Sequence, residues 1–461
     1  MPETTPIFLR KGLKRLRNRH MRNGRKRVRV VTMGCSKNRV DSEHLLMQLA
    51  AAGYEVSPEE EELETADVDV LIINTCGFIL DAKEESVQAI LEAVDARKRG
   101  VVNEVYVMGC LSQRYRNELP LEIPEVDGWF GAFSIGPLLS RLSVEPDPRL
   151  ETRRLLTTPG HYAYLKISEG CDRQCSYCAI PGIRGPHVSV PEEKLLDEAK
   201  SLADNGVKEL IVIAQDTTCY GLDLYGGRRL GRLLTGLTGV DGIEWIRLLY
   251  AYPTGFPQDV LEIMASSPKM CRYLDIPLQH SADNVLKAMR RAIDGEGTRR
   301  FVENVRRTVP GIALRTTMMV GHPGEGQEEF DDLLSFVREY RFERLGAFAY
   351  SEEEGTWGAQ NLKDSVPEDV KQERLDELME LQASVSLRYN ESRIGTVESV
   401  LVDSCQPESM TFTGRTSKES PEVDGEVNVA CRGGMPAPGS FVKVLITGAD
   451  EYDLTGELIE Y

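Results

Sequence analysis

The 461-residue chain lacks any long apolar run. A membrane-crossing helix needs roughly 18 successive apolar residues, and the longest candidate, from Val70 to Leu80, is broken by Asn74 and Thr75. The first 29 residues also lack the apolar core of a secretory signal. The ten cysteines are grouped by motif, with no small secreted domain around them. That disfavours a disulfide framework and fits a reducing compartment where thiols hold metal. These absences predict a cytoplasmic protein with no membrane segment. Positive charge is scarce too: 55 Lys and Arg stand against 73 Asp and Glu, a net charge of −18. Eleven of the 55 lie in residues 1–29 beside a single acid, Glu3, which leaves 44 basic and 72 acidic residues in the body. Such a body argues against broad phosphate binding. Residues 1–27 are read as a basic tail, either a disordered extension or an arm that contacts RNA, and both readings stay open.

What is present begins with a composition of 41 % hydrophobic and 28 % charged residues. Together with the length, it predicts a globular chain of two to four domains. The most informative stretch is Gly170-Cys-Asp-Arg-Gln-Cys-Ser-Tyr-Cys-Ala-Ile-Pro181, with three thiols spaced C-x3-C-x2-C. The apolar run Tyr162–Ile167 leads into it and reads as a buried strand. Three thiolates on one loop suit a 4Fe–4S cluster, leaving one iron without a protein ligand. A structural zinc site normally brings four protein ligands in two pairs, and no fourth cysteine lies nearby. Zinc, or an inert or disulfide-forming set, is the weaker alternative.

Ahead of this loop, strand-like runs at 28–33, 69–74 and 104–108 alternate with helical spacing at 41–52 and 81–99. This β-α-β-α-β pattern predicts a doubly wound parallel sheet over residues 28–145. Cys35, Cys76 and Cys110 each fall just past a strand end, and such ends converge on one crevice in a parallel sheet. Gly34, Gly77 and Gly109 beside them suit close backbone approach. A second cluster on these three thiols is the sharper reading; three small buried hydrophobes is the bland one.

Residues 146–160, with Pro146, Pro148 and Pro159, read as a linker. From residue 161 to 390 a second α/β series places strands at 162–167, 209–214, 245–250, 273–276, 313–320 and 344–350, a partial (β/α)6 barrel. Catalytic groups should gather at the C-terminal strand ends. Gln215, Asp216, Gln279 and His280 fall there; Arg315 and Thr317 share one strand face by the two-residue period; and Gly321-His-Pro-Gly-Glu325 forms a tight turn. For His280 and His322 a hydrogen-bonded structural role competes with catalysis. Cys219 and Cys271 are read as unliganded. A charged helix over 366–392, apolar at Leu375, Leu378, Leu381 and Val385, connects to residues 391–461. There, five short alternating runs predict a small β-barrel. Five basic against twelve acidic residues in 393–461 make it a poor RNA grip and a reasonable grip for a basic protein.

The cysteine loop resembles the radical S-adenosylmethionine (SAM) superfamily, in which the open iron chelates SAM. From residue 28 onward the whole chain resembles the methylthiotransferases, which join a three-cysteine domain, a radical-SAM domain and a terminal TRAM barrel. Within that family, Met33-Gly-Cys-Ser-Lys-Asn-Arg-Val-Asp-Ser-Glu43, Leu165–Cys171, Ala179–Gly185, Ala214–Thr217 and Leu314–Thr317 resemble the branch acting on the twelfth protein of the small ribosomal subunit. The tRNA-modifying branch typically has Gln-Met-Asn where this chain has Ser36-Lys37-Asn38. Gly-His-Pro-Gly-Glu-Gly at 321–326 departs from a more usual Gly-Phe-Pro-Gly-Glu-Thr, and Cys219 stands where arginine is common.

The resemblance implies two 4Fe–4S clusters, on Cys35, Cys76 and Cys110 and on Cys171, Cys175 and Cys178. It also implies SAM contacts at Tyr177, Gln215, Asp216, Arg315 and Thr317. The expected reaction puts a methylthio group on the β-carbon of an aspartate of that ribosomal protein, free or within the ribosome, with electrons from a donor such as flavodoxin or ferredoxin. A tRNA methylthiotransferase is the nearest rival. A two-cluster electron carrier and a ribosome- or RNA-binding module with structural clusters are rivals of another class.

Overall fold

A computed structural model describes residues 25–59, 61–63, 67–133, 135–431 and 434–460. Most of the expected basic tail, residues 1–24, lies outside the described residues. Its last part is ordered into the fold: Lys26 pairs with Glu104 at 3.0 Å, and Arg27 opens the first strand. The chain divides into two compact units. One holds the residues up to Gly34, His44–Gly77 and Ala82–Leu150; the other holds Cys35–Glu43, Phe78–Asp81 and Glu151–Tyr461.

The first unit is built on a five-stranded parallel sheet in the order β2-β1-β3-β4-β5. Its strands are β1 (Arg27–Thr32), β2 (Glu55–Val56), β3 (Val70–Thr75), β4 (Glu104–Gly109) and β5 (Gly128–Trp129). Central β3, Val-Leu-Ile-Ile-Asn-Thr, is buried along its full length, as a strand covered on both faces must be. Ile90, Ala93 and Val94 of the helix Leu80–Lys98 join Leu71, Ile73, Val105 and Val107 in one apolar core. Each such large aliphatic side chain contributes about 1.5–3 kcal/mol on burial. The helix expected over 41–52 begins earlier, at Ser36, and runs to Ala51. Its opening Ser-Lys-Asn-Arg is polar, so the apolar period does not mark the first turn. Strands β2 and β5, two residues each, are too short for any periodicity to reveal.

The second unit opens with six parallel strands: β6 (Tyr162–Lys166), β9 (Glu209–Ile213), β10 (Trp245–Leu248), β11 (Met270–Asp275), β12 (Ala313–Val320) and β13 (Arg344–Ala349). They neighbour one another in sequence order, and among the described residues β6 and β13 remain unpaired edges. This is an open ring of six β/α units, as the sequence predicts. A short antiparallel pair, β7 (Ser168–Glu169) with β8 (Val188–Ser189), closes the base of the loop that carries the C-x3-C-x2-C thiols.

The helix Glu368–Glu391, starting after Pro367, packs on β13 and leads to a closed five-stranded barrel. Its strands are β14 (Val397–Gln406), β15 (Thr411–Arg415), β16 (Val427–Ala430), β17 (Phe441–Ala449) and β18 (Leu454–Glu460). Alternate residues such as Val442, Val444 and Ile446 fill its interior with Val400, Phe412 and Val429, the two-residue period of a half-buried strand.

This barrel is joined to the ring through buried charge. Glu209 accepts from Arg247 and from Arg415, both at 2.7 Å, and all three side chains are almost fully buried. Arg415 also donates to Asp403, which His161 meets at 2.7 Å. Tyr162 and Tyr164 donate to Glu422, Tyr273 donates to Asp424, and Arg344 pairs with Glu419. Ring and terminal barrel therefore form one compact unit, and several of the acids that the sequence offers as a grip for a basic protein are spent in joining the two.

Candidate cluster and cofactor site

The cysteine loop leaves β7 at Gly170. Cys171, Cys175 and Cys178 are each half-buried and form no disulfide. The Cys178 N–H donates to the Cys175 carbonyl at 3.2 Å, and the Arg173 N–H donates to Cys171 Sγ at 3.4 Å. Burial pushes the Cys171 thiol up to about 11 and the Cys178 thiol to about 12, with Cys175 adding to both. Such thiols keep their protons until a metal replaces them. Among the described residues no three His, Cys, Asp or Glu side chains converge where a single ion would sit. Three thiolates on one loop are a donor set that suits a 4Fe–4S cluster, whereas structural zinc takes four protein ligands.

Around the loop the charges are arranged tightly. Arg173 donates to Asp216 at 2.8 Å, and its guanidinium lies 3.9 Å from the centre of the Tyr252 ring. Arg291 stacks on the same ring at 4.0 Å, places Nη1 3.6 Å from Cys175 Sγ and 3.5 Å from the Tyr177 hydroxyl, and donates to the Pro277 carbonyl at 2.6 Å. Asp216 is buried and committed, since it also accepts from the Thr218 N–H and hydroxyl. Cys219 donates to Asp216 at 3.2 Å, and its thiol is pushed up to about 12, first by burial and then by that carboxylate. Cys271 is fully buried in the strand β11.

Gln215 donates through Nε2 to Glu169 at 2.7 Å, while its buried Oε1 has no partner among the described residues. Arg315 turns to Asp275 at 2.9 Å and to Asp424 of the terminal barrel at 3.5 Å. Thr317 lies opposite Gly346 in the sheet, and its carbonyl accepts the Gln279 N–H. Of the five expected contacts, Tyr177, Gln215 and Asp216 belong to the surroundings of the loop, Arg315 is held among acids, and Thr317 lies on the same strand β12 as Arg315. His280 accepts the Ala282 N–H at Nδ1 and meets the Glu325 carboxylate at Nε2, 3.2 Å away. His322 hydrogen-bonds Ser176 and the Pro323 carbonyl. Both are satisfied, buried histidines. Sequence spacing misses Tyr252 and Arg291, because neither follows a strand end within a recognisable motif.

The segment after Cys35 docks beside the same loop, within the second unit. Glu169 accepts from Lys166, Arg184 and Gln215, each at 2.7 Å. Arg184 reaches Asn38 at 2.5 Å and Asp41 at 3.4 Å, and Lys166 pairs with Asp41. The Lys37 ammonium sits 2.9 Å from the centre of the Tyr250 ring.

In the first unit, glycines bring the strand ends together. Thr75 and Gly109 lie opposite each other where β3 and β4 end, and Cys76 and Cys110 are the next residues. Gly34 has φ +82°, and a Cβ there would lie 2.6 Å from Cys76 Cβ. A Cβ on Gly77 would lie 2.7 Å from the Leu111 backbone. Only glycine permits both approaches. The Cys76 N–H donates to Ser86 Oγ, and the Ser86 hydroxyl donates back to the Cys76 carbonyl, which fixes this strand end.

Three family descriptions match in succession: Uncharacterized protein family UPF0004 over residues 27–131, the Radical SAM superfamily over 165–337 and the TRAM domain over 394–459. The chain is 49 % identical over 438 residues to a protein of Cytophaga hutchinsonii named ribosomal protein uS12 methylthiotransferase RimO, covering 95 % of this chain and 99 % of that one. It is 52 % identical to the protein of the same name from Flavobacterium johnsoniae, covering 94 % and 98 %. The chain belongs to the RimO family of radical-SAM methylthiotransferases. Among solved structures, it resembles the radical SAM methyltransferase TsrM from Kitasatospora setae with tryptophan and a SAM analogue bound. That match has a TM-score of 0.54 at 16 % identity over 70 % of this chain and 73 % of that one. At that identity the likeness concerns the fold alone.

Proposed function

We propose that the chain transfers a methylthio group to the β-carbon of an aspartate on ribosomal protein uS12, using SAM. The observation that carries this reading is identity of about 50 % to RimO proteins along almost the whole chain, which includes the three-thiol loop. In this reading Cys171, Cys175 and Cys178 hold the 4Fe–4S cluster that binds SAM, and Cys35, Cys76 and Cys110 hold a second. Bound there, the first cluster would supply one-electron chemistry for opening an unactivated C–H bond, and the second would supply the sulfur.

The protein's own part is placement. The β7–β8 pair fixes the loop, Arg173 ties it to Asp216, and Arg291 sets positive charge beside it. The unpaired Oε1 of Gln215 suits an amine or hydroxyl donor of the cofactor. Tyr177, Asp216, Arg315 and Thr317 complete the proposed contacts: Tyr177 lies next to Cys178, and Asp216 works through Arg173. Residues 28–145 carry the sulfur-donating half, 161–390 the radical half and 391–461 a grip for basic uS12, free or on the ribosome. An electron donor such as flavodoxin or ferredoxin and a cytoplasmic site complete the proposal; among the described residues no helix is long and apolar enough to cross a membrane.

The test is to incubate the reconstituted, reduced protein with SAM and either uS12 or tRNA and to weigh both products. A methylthio gain on uS12 is expected. A gain on tRNA alone would overturn the reading.

A further inference from the structure

Arg291 is 8 % exposed, and among the described residues no Asp or Glu pairs with it. Its polar neighbours are the Cys175 thiol, the Tyr177 hydroxyl and the Pro277 carbonyl, while Nε is buried without a partner. The stacked ring of Tyr252 offers only its weakly negative face. The other guanidinium on that ring, Arg173, is neutralised by Asp216. A buried cation with no counter-ion is costly, so its retention here calls for an anion beside it. Donor chemistry identifies the anion: a cubane held by three thiolates is negative, and it gains one more negative charge when an electron enters.

We infer that Arg291 is the counter-ion of the cluster on Cys171, Cys175 and Cys178 and raises its reduction potential by favouring the reduced form. The inference rests on the proposed function of that loop. Arg291 is here a positioning residue, acting on the cluster through the Cys175 sulfur and through its charge.

The experiment is a dithionite titration of the full-length chain reconstituted with iron and sulfide, with Cys35, Cys76 and Cys110 replaced by Ala so that one cluster is present. The reduced cluster is followed by electron paramagnetic resonance. In Arg291→Met, which keeps the length and removes the charge, the reduced-to-oxidised ratio at a fixed potential should fall at least tenfold, which is 59 mV for one electron. Arg291→Lys, which keeps the charge, should stay closer to the parent. An unchanged midpoint in an Arg291→Met protein that retains its iron overturns the inference. If Arg291→Met assembles no cluster, Arg291→Lys decides. Iron restored with a near-parent midpoint supports a role for charge, and an equally empty Lys variant assigns the effect to packing and overturns it. The parent chain is assayed alongside for iron and for uS12 product, so a failure of the proposed function registers separately.

Discussion

His322 sits where burial favours the neutral ring. The Pro323 carbonyl, 3.0 Å from Nδ1, can only accept, so Nδ1 carries the proton and Nε2 accepts from the Ser176 hydroxyl at 3.2 Å. Burial pushes the ring down to about 4, against about 6.5 in the unfolded chain. The unfolded state therefore binds more protons between those values, and stability falls as pH drops through that window, on the order of 3 kcal/mol by pH 4. Urea unfolding at pH 7 and pH 5 should show the loss, and His322→Phe should reduce it by removing the titrating group. Glu209 is the opposite case, one carboxylate serving two buried guanidinia. Glu209→Gln should cost about 3–5 kcal/mol, because Arg247 and Arg415 lose their shared charge partner. A lower urea midpoint with an unchanged slope would report it.

At the scale of elements, the strand ends carry the strongest prediction. Gly77→Ala puts a methyl group against the Leu111 backbone, which cannot yield as a side-chain tip would. Iron should drop by about half, with the spectroscopic signal of the Cys171 loop retained; full iron in a folded variant would refute the second cluster's placement. These strand ends were legible in the chain because Met33-Gly-Cys35, Asn74-Thr-Cys-Gly77 and Met108-Gly-Cys110 each join an apolar run to a small residue and a thiol. The first turn of the helix Ser36–Ala51 was not legible, because its buried Lys37 and Asn38 are held by Tyr250 and Arg184, partners more than a hundred residues away. The same holds for Tyr252 and Arg291: tertiary packing gives them their role, and no local period marks it.

For the whole molecule, the charge of the terminal barrel needs a different accounting from the one its sequence suggests. Of its acids, Asp403, Glu419 and Asp424 face partners in or beside the ring and are not available to a basic protein, while Glu422 meets two ring tyrosines but stays partly exposed. Glu408, Glu426, Asp450 and Glu451 remain on its surface. A chain ending at residue 393 would take the Thr416 and Ser417 carbonyls from Arg247 and the Glu419 carboxylate from Arg344, and bare three tyrosine hydroxyls. It should aggregate or melt well below the full chain in a thermal scan, whereas a detachable grip would leave a folded radical unit with weaker uS12 binding.

The β7–β8 clasp has a consequence for the order in which the protein is made. Its two strands and the thiols between them lie close together in the chain, so the loop can close locally, with little chain entropy lost. Cys76 and Cys110 come to neighbouring strand ends only after β3 and β4, distant in the chain, have found their register. The base of the loop can therefore form once residues 168–189 have left the ribosome, whereas β3 and β4 must pair across the intervening residues 76–103.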